Sequence, residues 1–244
     1  MSSRSFTVAL VGADGAGKTT VARQLERAGS IPLKYLYMGQ NPAAKNHMLP
    51  TTRMIQGLKR ALGRGADQGG PPDPSRRRPP ARGLGRLVAG PKAVLRLANQ
   101  LAEEGYHAAL AHHFLRRGFV VLFDRHFYTD YYAHDIAPGP GGLPLTRRIH
   151  GYALQRLFSR PDYVILLDAP AEVLFARKGE GTVELIESRR QEYFLLRDRM
   201  EHFEVVDATR PSEEVATEVD RLIAGFARSR APRSHRDGAG SADV

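Results

Sequence analysis

The 244-residue chain contains no cysteine. That absence excludes a disulfide framework, an iron–sulfur cluster, a cysteine-based zinc site and a thiol nucleophile. No run of eighteen apolar residues occurs, and the opening MSSRSFTVALVG has no long apolar stretch of the secretory kind. The expectation is a cytoplasmic protein without a membrane partner. An HExxH pattern is missing too: His107, His112 and His113 have the wrong spacing, so the histidines are assigned no metal.

Positive charge is abundant, at a formal net of +10, but it is unevenly placed. Residues 59–96 carry ten basic side chains against two acidic ones, and residues 228–244 carry four against two. These two segments hold the whole excess, so the basicity is no property of the fold. The stretch 63–90 is crowded with Gly, Pro and Arg and poor in large apolar residues. It reads as a disordered insertion within one domain spanning 1–227, followed by a disordered tail over 228–244. Arg76, Arg77 and Arg78 can contact nucleic-acid phosphates, which makes a regulatory NTPase the rival reading. The insertion has no aromatic side chains for base stacking, however, and solvated low-complexity sequence explains it better.

The remaining chain alternates short apolar runs with amphipathic stretches. Strands are expected at 6–11, 35–37, 119–123, 163–167 and 203–206. Helices are expected at 17–28, 52–61, 92–117, 145–158, 171–177, 183–200 and 212–227. FVVLF and YVILL are apolar at every position, as in central parallel strands covered on both faces. This order implies an α/β three-layer fold with ligands outside the carboxyl ends of the strands.

The first strand leads into Gly12-Ala13-Asp14-Gly15-Ala16-Gly17-Lys18-Thr19-Thr20. The pattern is G-x-x-x-x-G-K-[ST] between a strand and a helix, the setting of a phosphate-binding loop. Its glycines let backbone N–H groups close around phosphate oxygens, and the helix N-terminus adds its dipole. Lys18 would reach the β- and γ-phosphates of ATP or GTP, and Thr19 would ligate Mg²⁺. Asp124-Arg125-His126 follows the third strand. Asp124 can hold Mg²⁺ through water and Arg125 can clamp an acceptor phosphate; an ordinary helix-capping Asp is the plainer alternative. Arg177-Lys178-Gly179-Glu180-Gly181 is a glycine-broken basic turn, suited to a lid, with Arg189, Arg190 and Arg197 beyond it.

Together these segments resemble the thymidylate kinase-like family of P-loop nucleoside monophosphate kinases. The resemblance rests on GADGAGKTT, on DRH with Thr129 five residues after Asp124, on RPDYVILLDAPAEVLFARK and on VVDATRPSEEV. It implies a P-loop NTPase fold with a five-stranded parallel sheet, order 2-3-1-4-5, a lid and a possible homodimer. It implies that ATP with Mg²⁺ is the donor, held by Gly12–Thr20, with Thr19 and Asp124 at the metal. Asp14 would sit near Mg²⁺ and the acceptor sugar, Arg125 at both phosphates, and Arg177 or Lys178 would be the catalytic lid cation.

The departures from the family fall mostly on the acceptor side. Tyr37-Met38-Gly39-Gln40-Asn41-Pro42 replaces an Arg-Glu-Pro type segment, Ala102-Glu103 an Asp-Arg pair, and Ala133-His134 a Tyr-Gln pair, with Asp130 and Asp135 nearby. The reading is phosphoryl transfer to a nucleoside monophosphate or related small-molecule acceptor. A hydroxyl acceptor such as a nucleoside or sugar-like metabolite is the alternative, with Glu103 and Glu104 either facing it or solvated on their helix.

Overall fold

The computed structural model describes residues 5–38, 84–139, 141 and 143–230, apart from the side chains of 84–89 and 92. The expected helix at 52–61, most of the expected insertion, the segment Gly39–Pro42 and the end of the tail lie outside them. In chain order the elements are β1 (Thr7–Val11), α1 (Lys18–Ala28), β2 (Leu33–Tyr37), α2 (Leu84–Arg116), β3 (Val120–Asp124) and α3 (Phe127–Tyr131). A π-helical turn (Tyr132–Ile136), α4 (Leu145–Arg156), β4 (Tyr163–Asp168), α5 (Ala171–Lys178) and α6 (Val183–Phe194) follow. A 3-10 turn (Arg197–Arg199), β5 (Phe203–Asp207) and α7 (Ser212–Ser229) complete the described chain.

The strands form one parallel sheet in the order β2-β3-β1-β4-β5. This is the strand order that the resemblance to P-loop kinases implies. Every residue of β1 and β3 is buried, and so is every residue of β4 except Asp168, because helices cover both faces of these strands. The edge strands tolerate polar residues, Lys34 on β2 and Glu204 on β5.

Side chains alternate across the sheet with period two. Val8 and Leu10 join Leu122, Ile165 and Leu167 on one face, against Val21 and Leu25 of α1 and Val219 and Ile223 of α7. Ala9, Val11, Val164 and Leu166 face the other way, onto Tyr128, Tyr132, Tyr193 and Leu196. Leu36, Val121 and Phe123 continue that second face beneath Ala111 of α2.

Several boundaries differ from expectation. The helix expected from residue 92 begins at Leu84, inside the stretch read as insertion, and carries Pro91 within it. Leu84, Leu87, Val88 and Ala89 supply apolar helix-compatible residues that the Gly/Pro content of the wider segment obscures. The helix expected over 183–200 stops at Phe194. Leu196 turns fully into the core, and the backbone tightens there, with Leu196 N–H donating to Tyr193 O at 3.1 Å. At the C-terminus α7 runs to Ser229, two residues beyond expectation. Arg230 donates to Asp162 Oδ1 at 2.8 Å and covers the Phe226 ring, which anchors residues expected in the tail.

The π-helical turn packs closely on α4. A Cβ added at Gly151 would fall 2.1 Å from Asp135 O. Gly151→Ala should therefore push α4 off the turn and destabilise the protein by ~1–3 kcal/mol, read from the midpoint of urea unfolding. A midpoint equal to that of the parent would show that the two segments separate freely.

Candidate active site

The turn between β1 and α1 lies against two neighbours. A Cβ at Gly12 (φ +149°) would sit 2.5 Å from Leu167 O, and one at Gly15 (φ +92°) 2.5 Å from Leu174 O. Only glycine lets the loop approach β4 and α5 this closely. The small side chains of Ala13 and Ala16 are buried beneath it. Gly17, at the helix start, provides no side-chain cap, and Thr20 is exposed on the first turn.

Lys18 is 6% exposed, and its Nζ donates to Gly12 O at 2.7 Å and Ala13 O at 3.0 Å. The ammonium holds the loop closed from inside and keeps one further N–H. Burial and the nearby Arg125 lower its pKa, against the opposing pull of Asp14, Asp124 and Asp130.

At the carboxyl end of β3, Asp124 is registered beside Leu10 of β1 and Tyr37 of β2. Its Oδ2 accepts the Thr19 hydroxyl at 2.5 Å and the Tyr35 hydroxyl at 3.0 Å. Its Oδ1 is buried without a hydrogen-bond partner. Thr19 gives its hydrogen to Asp124, so its oxygen lone pairs remain available. A hydroxyl oxygen with free lone pairs beside an unpartnered carboxylate oxygen suits a hard cation such as Mg²⁺. Asp124 is not a helix cap. His126 caps α3 instead, accepting Tyr128 N–H at 3.2 Å through an imidazole that burial holds neutral, with its pKa lowered to about 3.

Arg125 is the one non-glycine residue with positive φ among the described residues, at +66°. The left-handed conformation costs ~1–2 kcal/mol in an ordinary side-chain residue. It accompanies a guanidinium that lies 2.5 Å from Asp14 Oδ1 and 3.9 Å from Asp130 Oδ2. Burial opposes the Arg125 charge, but Asp130 and Asp14 outweigh it and raise its pKa, so the guanidinium is a permanent cation. Asp130 is itself buried and accepts Tyr193 O–H at 3.0 Å. Burial raises its pKa, against Arg125 and the Tyr193 hydrogen bond. Asp14 goes the other way. Burial pulls its carboxyl up, but Arg125, Lys18, Lys178 and Arg189 together hold it below the usual range.

The two cations expected of a lid diverge. Lys178 Nζ lies 3.7 Å from Asp14 and 2.9 Å from Glu180. Arg177 points elsewhere, donating to Ala208 O at 2.6 Å and Thr209 O at 3.1 Å, which ties α5 to the loop after β5. Arg190 holds both oxygens of Asp168 at 2.8 Å and so fixes α6 to the end of β4. The structure thus brings Asp14, Lys18, Thr19, Asp124, Arg125 and Lys178 together, and leaves Arg177 outside the group.

Beside this group lies a cluster whose pairings the sequence does not reveal. Glu103 and Glu104 are not solvated: they are 3% and 1% exposed. Glu104 Oε1 lies 2.7 Å from His150 Nε2, and Asp135 Oδ2 lies 2.6 Å from His150 Nδ1. Arg147 Nε donates to Asp135 Oδ1 at 2.5 Å. Burial lowers the His150 pKa, but the two carboxylates prevail and raise it to about 9. Tyr131 joins the two groups. Its ring meets His150 edge-on at 4.9 Å, and its hydroxyl feels Asp130, Glu104 and Asp135. The one sequence signal for His150 is its place three and four residues before the buried Ala153 and Leu154, on the inner face of α4.

No protein-family model matches the chain. Two curated proteins are similar to it, each named "Probable thymidylate kinase". The one from Pyrobaculum calidifontis is 28% identical over 223 residues, covering 88% of this chain and 94% of its own. The one from Pyrobaculum aerophilum is 28% identical over 222 residues, covering 88% and 95%. With its phosphate loop and DRH segment at the carboxyl edge of a 2-3-1-4-5 parallel sheet, the chain is thymidylate kinase-like in sequence and has the fold of a P-loop kinase.

Proposed function

We propose that the protein is an ATP-dependent phosphotransferase that passes the γ-phosphoryl group to a nucleoside monophosphate or a related small-molecule acceptor. The observation that carries this reading is the Thr19–Asp124 hydrogen bond. It joins the loop to the end of β3, and the next residue, Arg125, is the cation that this reading needs for an acceptor phosphate. The similarity to two proteins named as probable thymidylate kinases supports the same class.

In this reading the loop and Lys18 hold the donor phosphates, and Arg125 bridges donor and acceptor. Phosphoryl transfer needs little covalent help from protein, so positioning and charge stabilisation do most of the catalysis. Lys18, Arg125, Lys178 and Arg189 all act on Asp14, and Lys178 also pairs with Glu180, so most of the positive charge here already has a carboxylate near it. A polyphosphate entering this group meets the N–H that Lys18 keeps beyond its two loop carbonyls, and a second cation comes either from Arg125 once Asp14 releases it or with the nucleotide itself. Mg²⁺ is that second source; when bound it neutralises phosphate charge, with Thr19 and Asp124 to hold it. Of the two lid residues, Lys178 is the nearer to this work, through Asp14. The cytoplasm, which supplies ATP, is the compartment this reading implies. We take the chain through Arg230 as a single kinase domain whose insertion gives way to helix at Leu84.

Acidic residues near the acceptor side have partners of their own, which favours no hydroxyl-rich ligand over a monophosphate. ADP release should therefore be measured from ATP–Mg²⁺ with a panel of nucleoside monophosphates, nucleosides and sugars. Release that depends on one monophosphate is expected. Release that depends on a nucleoside or sugar alone would transfer the assignment to a hydroxyl kinase, and slow release indifferent to every acceptor would make the protein an NTPase.

A further inference from the structure

Tyr35 belongs to no part of the phosphate-loop motif, yet its hydroxyl reaches the centre of the site. It lies on the edge strand β2, paired with Leu122 of β3, two residues before Asp124. Residues two apart on a strand share a face, so Leu122 and Asp124 both point toward the α1 layer, as Tyr35 does. The strand is also tied to α1 directly, because Tyr35 N–H donates to Glu26 Oε1 at 3.2 Å. The ring is thereby held between β3 and α1, with its hydroxyl 3.0 Å from Asp124 Oδ2.

The same oxygen already accepts the Thr19 hydroxyl. Two donors on Oδ2 fix the rotation of the carboxylate, and the second oxygen, Oδ1, is left buried and unpartnered. A carboxylate held by one donor can tilt and follow it through a range of angles; two donors arriving from different elements, α1 and β2, leave one setting that keeps both bonds. Burial and the adjacent Asp124 charge raise the Tyr35 pKa, so the phenol stays a donor at any working pH.

We propose that Tyr35 is a positioning residue, holding Asp124 so that Oδ1 and the Thr19 oxygen face the hydrated Mg²⁺ of the nucleotide. The inference rests on the phosphotransferase reading and adds to it a residue that acts through Asp124 without touching substrate. Groups that orient metal-binding carboxylates commonly change metal affinity by about 10–100-fold when removed.

Tyr35→Phe keeps the ring and removes only the hydroxyl. ADP binding is to be measured by calorimetry in EDTA and across a Mg²⁺ titration, with thermal unfolding in EDTA beside it. The expected result is an unchanged affinity for metal-free ADP, an unfolding temperature near that of the parent, and a Mg²⁺ midpoint raised about tenfold. A midpoint equal to that of the parent would overturn the proposal, and so would equal losses with and without Mg²⁺, which would make Tyr35 merely structural. If the parent itself bound ADP with no response to Mg²⁺, the phosphotransferase reading would fall, and the proposal with it.

Discussion

Lys18→Ala is expected to lower kcat for ATP-dependent transfer by about 10³-fold, or ~4 kcal/mol of transition-state stabilisation. The ammonium is the buried cation of the loop, and no other lysine or arginine of the site lies within the loop itself. Its hydrogen bonds to Gly12 O and Ala13 O also set the shape of the loop. The fold should nevertheless survive. Removing a buried cation relieves its desolvation, which offsets the loss of two hydrogen bonds to carbonyls. The variant should therefore unfold within a few degrees of the parent while ADP release collapses. The parent should show a related pH effect. Burial and Arg125 lower the Lys18 pKa, so activity that needs the charged form falls as pH rises, below the ordinary lysine range. A Lys18→Ala enzyme retaining more than a tenth of parental kcat would remove the lysine from the transition state.

The contrast between this loop and its surroundings explains what the sequence could reveal. Gly12, Gly15 and Gly17 are local requirements, each tied to a backbone conformation or a close approach, so their spacing can be read without knowing the fold. The central strands were equally legible, because burial on both faces leaves a run of apolar residues such as Val120–Phe123. The partner of His150, by contrast, is Glu104, forty-six residues away on another helix. A glutamate in a charged helical stretch looks the same whether it meets water or an imidazole. Tyr35 has the sequence signature of a strand and no more, since an aromatic on an edge strand gives no hint of what its hydroxyl touches. Arg177 fits a lid by position, but the carbonyls that hold it follow β5, over thirty residues later. The π-helical turn at Tyr132–Ile136 had no signal of its own, and it is what brings Asp135 to His150.

His150→Leu should destabilise the protein by ~3–5 kcal/mol near neutral pH, because it leaves the buried Glu104 and Asp135 without the cation between them. Both ring nitrogens lie within hydrogen-bond distance of a carboxylate, an arrangement that favours the imidazolium, and the Gln100 amide also reaches Nε2 at 2.9 Å. Asp135 keeps Arg147, and Glu104 keeps only the Gln100 amide at 3.3 Å, so the loss falls mainly on α2. The sign of the pH dependence follows from the raised pKa, about 9 against an ordinary 6.5. The folded state binds the proton more tightly, so the contribution is complete below the unfolded pKa and disappears as pH rises through 9. The shift corresponds to ~3 kcal/mol in all, most of it lost between pH 6.5 and 9. Urea unfolding of parent and variant at pH 6 and pH 10 separates charge from packing. The gap between them should be widest at pH 6 and shrink at pH 10, where the parent has also given up its proton. An equal gap at both values would mean that His150 acts through shape alone. A His150→Leu, Glu104→Gln double variant should recover part of the loss at pH 6, since it removes the carboxylate left with the weaker partner. If it recovers nothing, the cost does not lie in the Glu104 charge.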